Sequence, residues 1–257
     1  MSSSKGRIVL TVFRRLLIAV LLPGSLAAQS LAQQVSAAAD GTVRLTFPAR
    51  AGICGDGASG NNLRHSNEEW QPDCGPRLVR VALRVSEHRV HSIRTYVGGH
   101  WLPDSTAHDL GMVSPRQAAP YFISLAERNE GRSIAGDPLL PSVLADSVTV
   151  WPLLVRVARN PRLSKQIRGQ AVFWLSQAAG AAAGRALDSI AGDRHADHEV
   201  RKHAVFALSQ RPRDQGVPAL IRIARTSPDA ELRRTAVFWL GQSEDPRAVE
   251  LFEEILR

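Results

Sequence analysis

The chain has 257 residues, 44% of them hydrophobic and 22% charged, an ordinary globular balance with room for one or two domains and a buried core. The formal charge is +8, but four of the 32 basic residues and none of the 24 acidic ones fall in the first 30, which leaves the remainder at +4. A modest balance of that kind, not clustered along the chain, gives no footing for a nucleic-acid binder.

Lys5, Arg7, Arg14 and Arg15 come first, then the apolar run LLIAVLL at 16–22, then PGSLAAQS. Basic, apolar and small residues in that order are the layout of a secretory signal peptide, expected over 1–28. The run is shorter than the roughly 20 residues that span a bilayer, so no membrane span is expected after cleavage. A retained first helix is the alternative, because IVLTVF at 8–13 lengthens the apolar stretch. The expected location is periplasmic or secreted, where a protein rarely meets nucleic acid.

TVRLTF at 42–47 alternates, and 78–97 reads as two alternating runs around SEH, which predicts a strand followed by a hairpin. Residues 40–103 therefore form a small β-rich module. Cys54 and Cys74, with 19 residues between them, are its two cysteines and the only two in the chain. In an exported protein such a pair reads as a disulfide. Zinc at Cys54, His65 and Cys74 is the alternative, but the closely spaced cysteines of a zinc knuckle are missing. A module this small gains from a covalent staple and could cover the end of whatever follows it.

From 115 onward the pattern is helical, with segments expected at 115–128, 138–147, 151–159, 166–178, 184–192, 199–210, 217–225, 231–242 and 246–256. One string recurs. IRGQAVFWLSQ at 167, VRKHAVFALSQ at 200 and LRRTAVFWLGQ at 232 are offset by 33 and 32 residues and agree at six of eleven positions. WPLLVRVARN at 151 and VPALIRIART at 217 make a second series, with GRALDSIAGD at 184 midway. A fixed period of this length marks a solenoid, in which each unit meets an equivalent neighbour and needs the same side chains.

Helix pairs at this period, with VR..AV.ALSQ taken as the first helix and VPALI.IA as the second, resemble HEAT repeats. More narrowly they are similar to the short HEAT-like repeats of the phycobilisome-lyase-like group, over about 115–257. The resemblance implies a mainly α fold, a right-handed superhelix of stacked pairs whose second helices line the concave side, and a role in binding rather than a particular activity. A lyase-like or other enzyme or accessory factor on the same repeats is one alternative; nucleic-acid binding, which some HEAT-like proteins perform and which would require an uncleaved leader, is the other.

Arg168, Arg201 and Arg233 fall inside the apolar arc of the AVF helices, where a guanidinium must be paired. A structural ladder is expected, with Asp197 and Asp229 near the helix starts as its acids. Phe173, Phe206 and Phe238 fall away from the centre of the arc; cover by the stacked neighbours is expected, an exposed stripe being the other reading. Trp174, Ala207 and Trp239 occupy one register, so the alanine is expected to leave room for both indoles. Arg156, Arg159, Arg222 and Arg225 face solvent on the second series, with Ser189 and Gly192 between the pairs. These four are the expected partner-binding residues, gripping an acidic segment of a protein across an uncharged gap.

The histidines give no metal site. His195, His198 and His203 match no zincin order, and His88, His91, His100 and His108 are spread along and beyond the hairpin. With no nucleophile elbow, phosphate loop or dinucleotide fingerprint, no catalytic residue, cofactor or metal is assigned. The expected protein is an exported interaction scaffold.

Overall fold

The computed structural model describes residues 30–56, 69–128, 134–178 and 180–257. The expected leader at 1–28 and His65 lie outside the described residues. Ser30 caps a short helix, α1 (Leu31–Ala37), in a capping box with Gln33, a signature present in the sequence but unread there. The strands are β1 (Gly41–Pro48), β2 (Gly55–Asp56), β3 (Trp70–Gln71), β4 (Leu78–Ser86), β5 (Arg89–Val97), β6 (His100–Trp101) and β7 (His108–Met112). Five of them form a sheet in the order β2-β5-β4-β1-β7, with β7 parallel to β1, and β3 pairs with β6 separately. β7 carries the strands past residue 103.

The hairpin expected at 78–97 is β4–β5. It turns through Glu87 and His88 at φ 50° and 61°, a left-handed geometry uncommon away from glycine. Outside contacts hold it: Glu87 N donates to Asp40 Oδ1 at 2.9 Å, and His88 Nδ1 lies 2.8 Å from Ser36 O. Both faces of β1 are covered. Val43, Leu45 and Phe47 join the helical core, with the Phe47 ring 6.2 Å from Phe122. On the opposite face the Arg44 guanidinium lies 4.8 Å over the Trp101 ring, and Trp70, Tyr96 and Trp101 pack together. Cys54 and Cys74 are disulfide-bonded, tying the start of β2 to the turn after β3. Gly98 and Gly99, both at positive φ, let that turn close, because the carbonyls of Asp73 and Gln71 stand where a Cβ would project.

The helices are α2 (Pro115–Arg128), α3 (Leu140–Leu144), α4 (Trp151–Arg159), α5 (Lys165–Gln177), α6 (Ala181–Gly192), α7 (His198–Ser209), α8 (Arg213–Thr226), α9 (Ala230–Gly241) and α10 (Pro246–Leu256). Ser164, Asp197, Asp229 and Asp245 cap α5, α7, α9 and α10 with side-chain oxygens on first-turn N–H groups. One apolar core runs from the sheet through α2 to α10. No helix among the described residues is long and apolar enough to cross a membrane.

Pairing differs from the expectation. The most extensive contacts join α4 to α5, α6 to α7 and α8 to α9, so the AVF helix is the second member of its pair and not the first. The AVF helices also touch one another along the stack more extensively than α4, α6 and α8 do.

Candidate interaction face

Arg168 and Arg201 are buried, as the helical wheel requires. Arg201 donates from Nη1 to Asp229 Oδ2 and from Nε to Ala191 O, both at 3.2 Å, while Arg168 Nη2 lies 3.7 Å from Asp197 Oδ2. In each case the carboxylate is the N-cap of the next AVF helix. One Asp thus closes its own helix and neutralises the guanidinium of the unit behind it. Partial burial opposes ionisation of Asp229, but the N–H groups of Leu232 and Glu231 and the charges of His198 and Arg201 outweigh it and hold the carboxyl below its ordinary range. Arg233 stands apart. Its Nη1 donates to Ser227 O, in the loop before its own helix, at 2.7 Å.

The four arginines expected to grip a partner do lie on the exposed faces of α4 and α8, but each is already engaged. Arg156 forks onto Glu127 of α2, with Nε–Oε1 2.7 Å and Nη2–Oε2 3.0 Å. Arg159 donates to Ser189 Oγ of α6 at 2.6 Å, Arg222 pairs with Asp188 of α6, and Arg225 pairs with Glu254 of α10. The gap between the pairs therefore holds a carboxylate, Asp188, contrary to the expectation of an uncharged one. Matching residues by register pointed to Ser189 and Gly192 and passed over Asp188, which the long Arg222 side chain reaches. What looked like an open cationic row is a set of cross-helix links from α2 to α10.

Phe173, Phe206 and Phe238 are not covered, which corrects the other expectation: their exposures are 47%, 36% and 58%. Neighbours along the stack bury the flanks of the AVF helices but not this outward position. The indoles beside them are tucked in. Trp174 Nε1 donates to Asp137 Oδ2 at 2.8 Å, and the Trp239 ring lies 5.0 Å from both Phe206 and Phe238. One turn further, Gln177, Gln210 and Gln242 are exposed in the same register. Two of these carboxamides are held in place. Gln177 Nε2 donates to Ser176 Oγ at 3.0 Å and Gln210 Nε2 to Ser209 Oγ at 3.1 Å, while the two hydroxyls donate to Phe173 O and Phe206 O at 2.6 and 2.7 Å.

The family model described as HEAT repeats matches residues 187–257, which take in the second half of α6 and all of α7 to α10. No curated protein matches the chain. Among solved structures, the complex of CpcE and CpcF of phycocyanin lyase from Nostoc sp. PCC7120 contains a chain similar at 23% identity and a TM-score of 0.33, covering 44% of this chain and 43% of that one. The chain thus spans less than half the length of that relative.

Three features of the helical region were not read from its sequence. Arg211, 7% exposed, donates to the carbonyls of Ser176, Ala178 and Gly180 and to Gln215 Oε1. It closes the C-terminal end of α5 from the following repeat unit, and its isolated place in a loop gave no periodic signal. His198 lies between two carboxylates of the next unit, Nδ1 3.1 Å from Asp229 Oδ2 and Nε2 2.9 Å from Glu231 Oε2. Lys202 also reaches Glu231, at 2.7 Å. Among the described residues no group of three or more His, Cys, Asp and Glu side chains is arranged to hold a metal ion. Third, Asp137 accepts from Leu139 N at 2.8 Å as well as from Trp174. Burial pushes its carboxyl above the ordinary range despite these bonds.

Proposed function

We propose that the protein is an exported HEAT-repeat scaffold that binds a protein partner through the outward face of α5, α7 and α9, with no catalytic step of its own. The observation that carries this reading is the row of Phe173, Phe206 and Phe238, exposed at equivalent positions of three successive units. Large apolar side chains left exposed at one register of successive units, two of them joined through the Trp239 ring, mark an interaction site. The concave side is the proposed location. The resemblance to HEAT repeats assigned that side to α4, α6 and α8; the packing of the stack favours α5, α7 and α9 instead. Their closer mutual packing supports the same side, since a two-layer stack bends toward the layer with the shorter spacing.

The arginine row is the less favoured surface. A partner's acid would have to displace Glu127, Asp188 or Glu254 from a guanidinium that already has its charge met. Export is supported by the order of residues in 1–28 and by the Cys54–Cys74 bond, which suits an oxidising compartment.

Replacing all three phenylalanines by serine tests the surface. The variant is expected to keep its circular dichroism and to lose the proteins that the native chain retains from an envelope extract at low salt. Retention of the same proteins by the variant would remove this face from consideration. Amino-terminal sequencing of the protein recovered from that extract tests export, with a start near residue 29 expected; an intact Met1 would reject cleavage.

A further inference from the structure

Beside the Phe row lies a cleft of about 310 Å³, formed where the C-terminal turns of α7 and α9 meet the first half of α8. Val217, Leu220 and Trp239 line its interior, and the exposed Gln210, Gln242 and Arg213 stand at its edge. Two arginines, Arg211 and Arg213, contribute to its wall and no carboxylate does.

The charge of Arg211 is met by dipoles alone. Its partners are three carbonyl oxygens and one carboxamide, and no ion pair joins it to an acid among the described residues. A guanidinium buried in that way keeps its field, because the low local dielectric screens it little. Arg213 adds to the same field. The nearest acid to it, Glu244, lies 3.9 Å away on a side chain that is almost fully exposed. The first turn of α8 has Pro212 as its N-cap and no side-chain cap, so its N–H groups face outward, and Asp214 in that turn offsets part of their charge without lining the cleft. The cleft is positive, partly apolar, and too small for a folded element.

The surface beside it suits an extended chain. Gln210 is held by Ser209, which leaves its carbonyl and one N–H outward, a donor and an acceptor matched to a peptide group. Neighbouring helices are spaced at about 8–10 Å, the rise of about three residues of extended chain. Successive carboxamides therefore meet the backbone once every three residues, with Phe206 and Phe238 beneath the side chains between.

We infer that this cleft receives an Asp or Glu side chain from an extended segment of the partner protein, whose flanking apolar residues lie along Phe206 and Phe238 with the backbone on Gln210 and Gln242. The inference rests on the reading of the Phe face as the partner-binding side.

The test is selection from a phage-displayed library of random dodecapeptides against the full chain. Selected peptides are then measured by fluorescence anisotropy on the native protein and on Arg213→Glu, Phe206→Ser and Phe238→Ser, all exposed positions. Peptides with one recurrent acid between aliphatic or aromatic residues are expected. Arg213→Glu should weaken them about 10-fold or more, the scale of one charge-assisted hydrogen bond. Changing the peptide acid to its amide should weaken native binding equally and add little to the loss in Arg213→Glu. Selected peptides without an enriched acid, or with unchanged affinity for Arg213→Glu, overturn the cleft inference, and the Phe variants still decide the face. Unchanged affinity for both Phe variants together with loss in Arg213→Glu rejects the face and keeps the cleft. Failure to select any peptide overturns both. A dimer in sedimentation velocity that Arg213→Glu dissolves would make a second copy the occupant, and the acidic segment would be rejected.

Discussion

Arg201 and Asp229 stand 3.2 Å apart across two repeat units, and the same carboxylate that takes the guanidinium of α7 also caps α9 through the N–H groups of Glu231 and Leu232. One side chain therefore couples helix initiation in one unit to charge neutralisation in the other. The three ladder arginines are not equivalent. Arg201 has an acid and a carbonyl; Arg168 has an acid at 3.7 Å and a buried Nε with no partner; Arg233 has one carbonyl in its own loop.

Loss of stability on substitution by alanine is accordingly expected to rank Arg201 first, Arg168 second and Arg233 last. For Arg201→Ala the cost should be on the order of 1–3 kcal/mol, from lost hydrogen bonds to a buried charged group and the unfilled space. Urea titration followed by tryptophan fluorescence measures it. Equal midpoints for the three variants would show that the rungs do not carry stability.

The exposed arginines lead to an outcome opposite to the one their sequence positions suggest. Were they free, reversing Arg156, Arg159, Arg222 and Arg225 to glutamate would leave melting unchanged. Because they link α2, α4, α6, α8 and α10, the reversal sets like charges against Glu127, Asp188 and Glu254. Exposed pairs contribute about 0.2–1 kcal/mol each, so the melting temperature should fall by several degrees at low salt and recover partly at high salt. Restoring attraction with Glu127→Arg in the Arg156→Glu background should return part of the loss.

The repeat period, the helices and the buried arginines were legible because burial imposes identical residues at each turn of the stack. Which helix pairs with which was not, because the connecting loops on either side of each AVF helix are similarly short, 160–164 before α5 and 178–180 after it. The sides of the molecule were assigned from that pairing, so the arginines were placed on the concave face and the phenylalanines left as covered residues. Phe173, away from the centre of the apolar arc, points outward as its place on the helix requires. Helical position told its direction correctly, and only the spacing of neighbouring helices decided whether anything lay above it. Polar contacts between units, such as Arg222 with Asp188, depend on side-chain reach and escape any strict register.

Acid should loosen the helical repeats before it affects hydrophobic packing. The side-chain bonds from Arg247 hold the Asp245 carboxyl down at about 2, and bonds from Lys202 and then His198 lower that of Glu231. For Asp197, partial burial is outweighed by the Glu199 N–H and the Lys165 and Arg168 charges, so its carboxyl also lies low. Groups depressed in the folded state add stability above their ordinary pKa, and that stability disappears as pH falls through the folded values. The urea midpoint should therefore hold down to about pH 4 and decline toward about pH 2. In Asp245→Asn the decline should be shallower. Asp137 acts oppositely, since burial raises its carboxyl and the fold gains stability from it as pH falls toward the ordinary carboxylate pKa; Asp137→Asn lacks that offset and should lose somewhat more stability than the native protein between neutral pH and about pH 4.

The disulfide acts on the β region alone. Cys54–Cys74 closes a loop whose constraint is worth about 3 kcal/mol in the chain-entropy account, and it anchors the turn beside Trp70, which stacks on Tyr96 at 4.9 Å. Cys54→Ser should change near-ultraviolet circular dichroism from these aromatics while the helical far-ultraviolet signal stays. Two reactive thiols in the denatured, unreduced native protein would contradict the bond.

Ala207 occupies the register of Trp174 and Trp239 but is fully enclosed. Both indoles are directed toward the preceding unit: Trp174 reaches Asp137, and Trp239 lies against Phe206. The alanine therefore does not simply make room for two large neighbours, as the sequence suggested. By equivalence an indole at 207 would be driven toward α5, into the layer of Val172, Leu175 and Ser176, all buried. Ala207→Trp should overpack that layer at a cost of roughly 1–3 kcal/mol. It should also displace Ser176, whose carbonyl receives Arg211, so the loss of stability should exceed that of a polar substitution at the exposed Phe206. Calorimetric melting of Ala207→Trp beside Phe206→Ser decides it: a melting temperature for the first at or above that of the second would show that the space behind Ala207 is not closed.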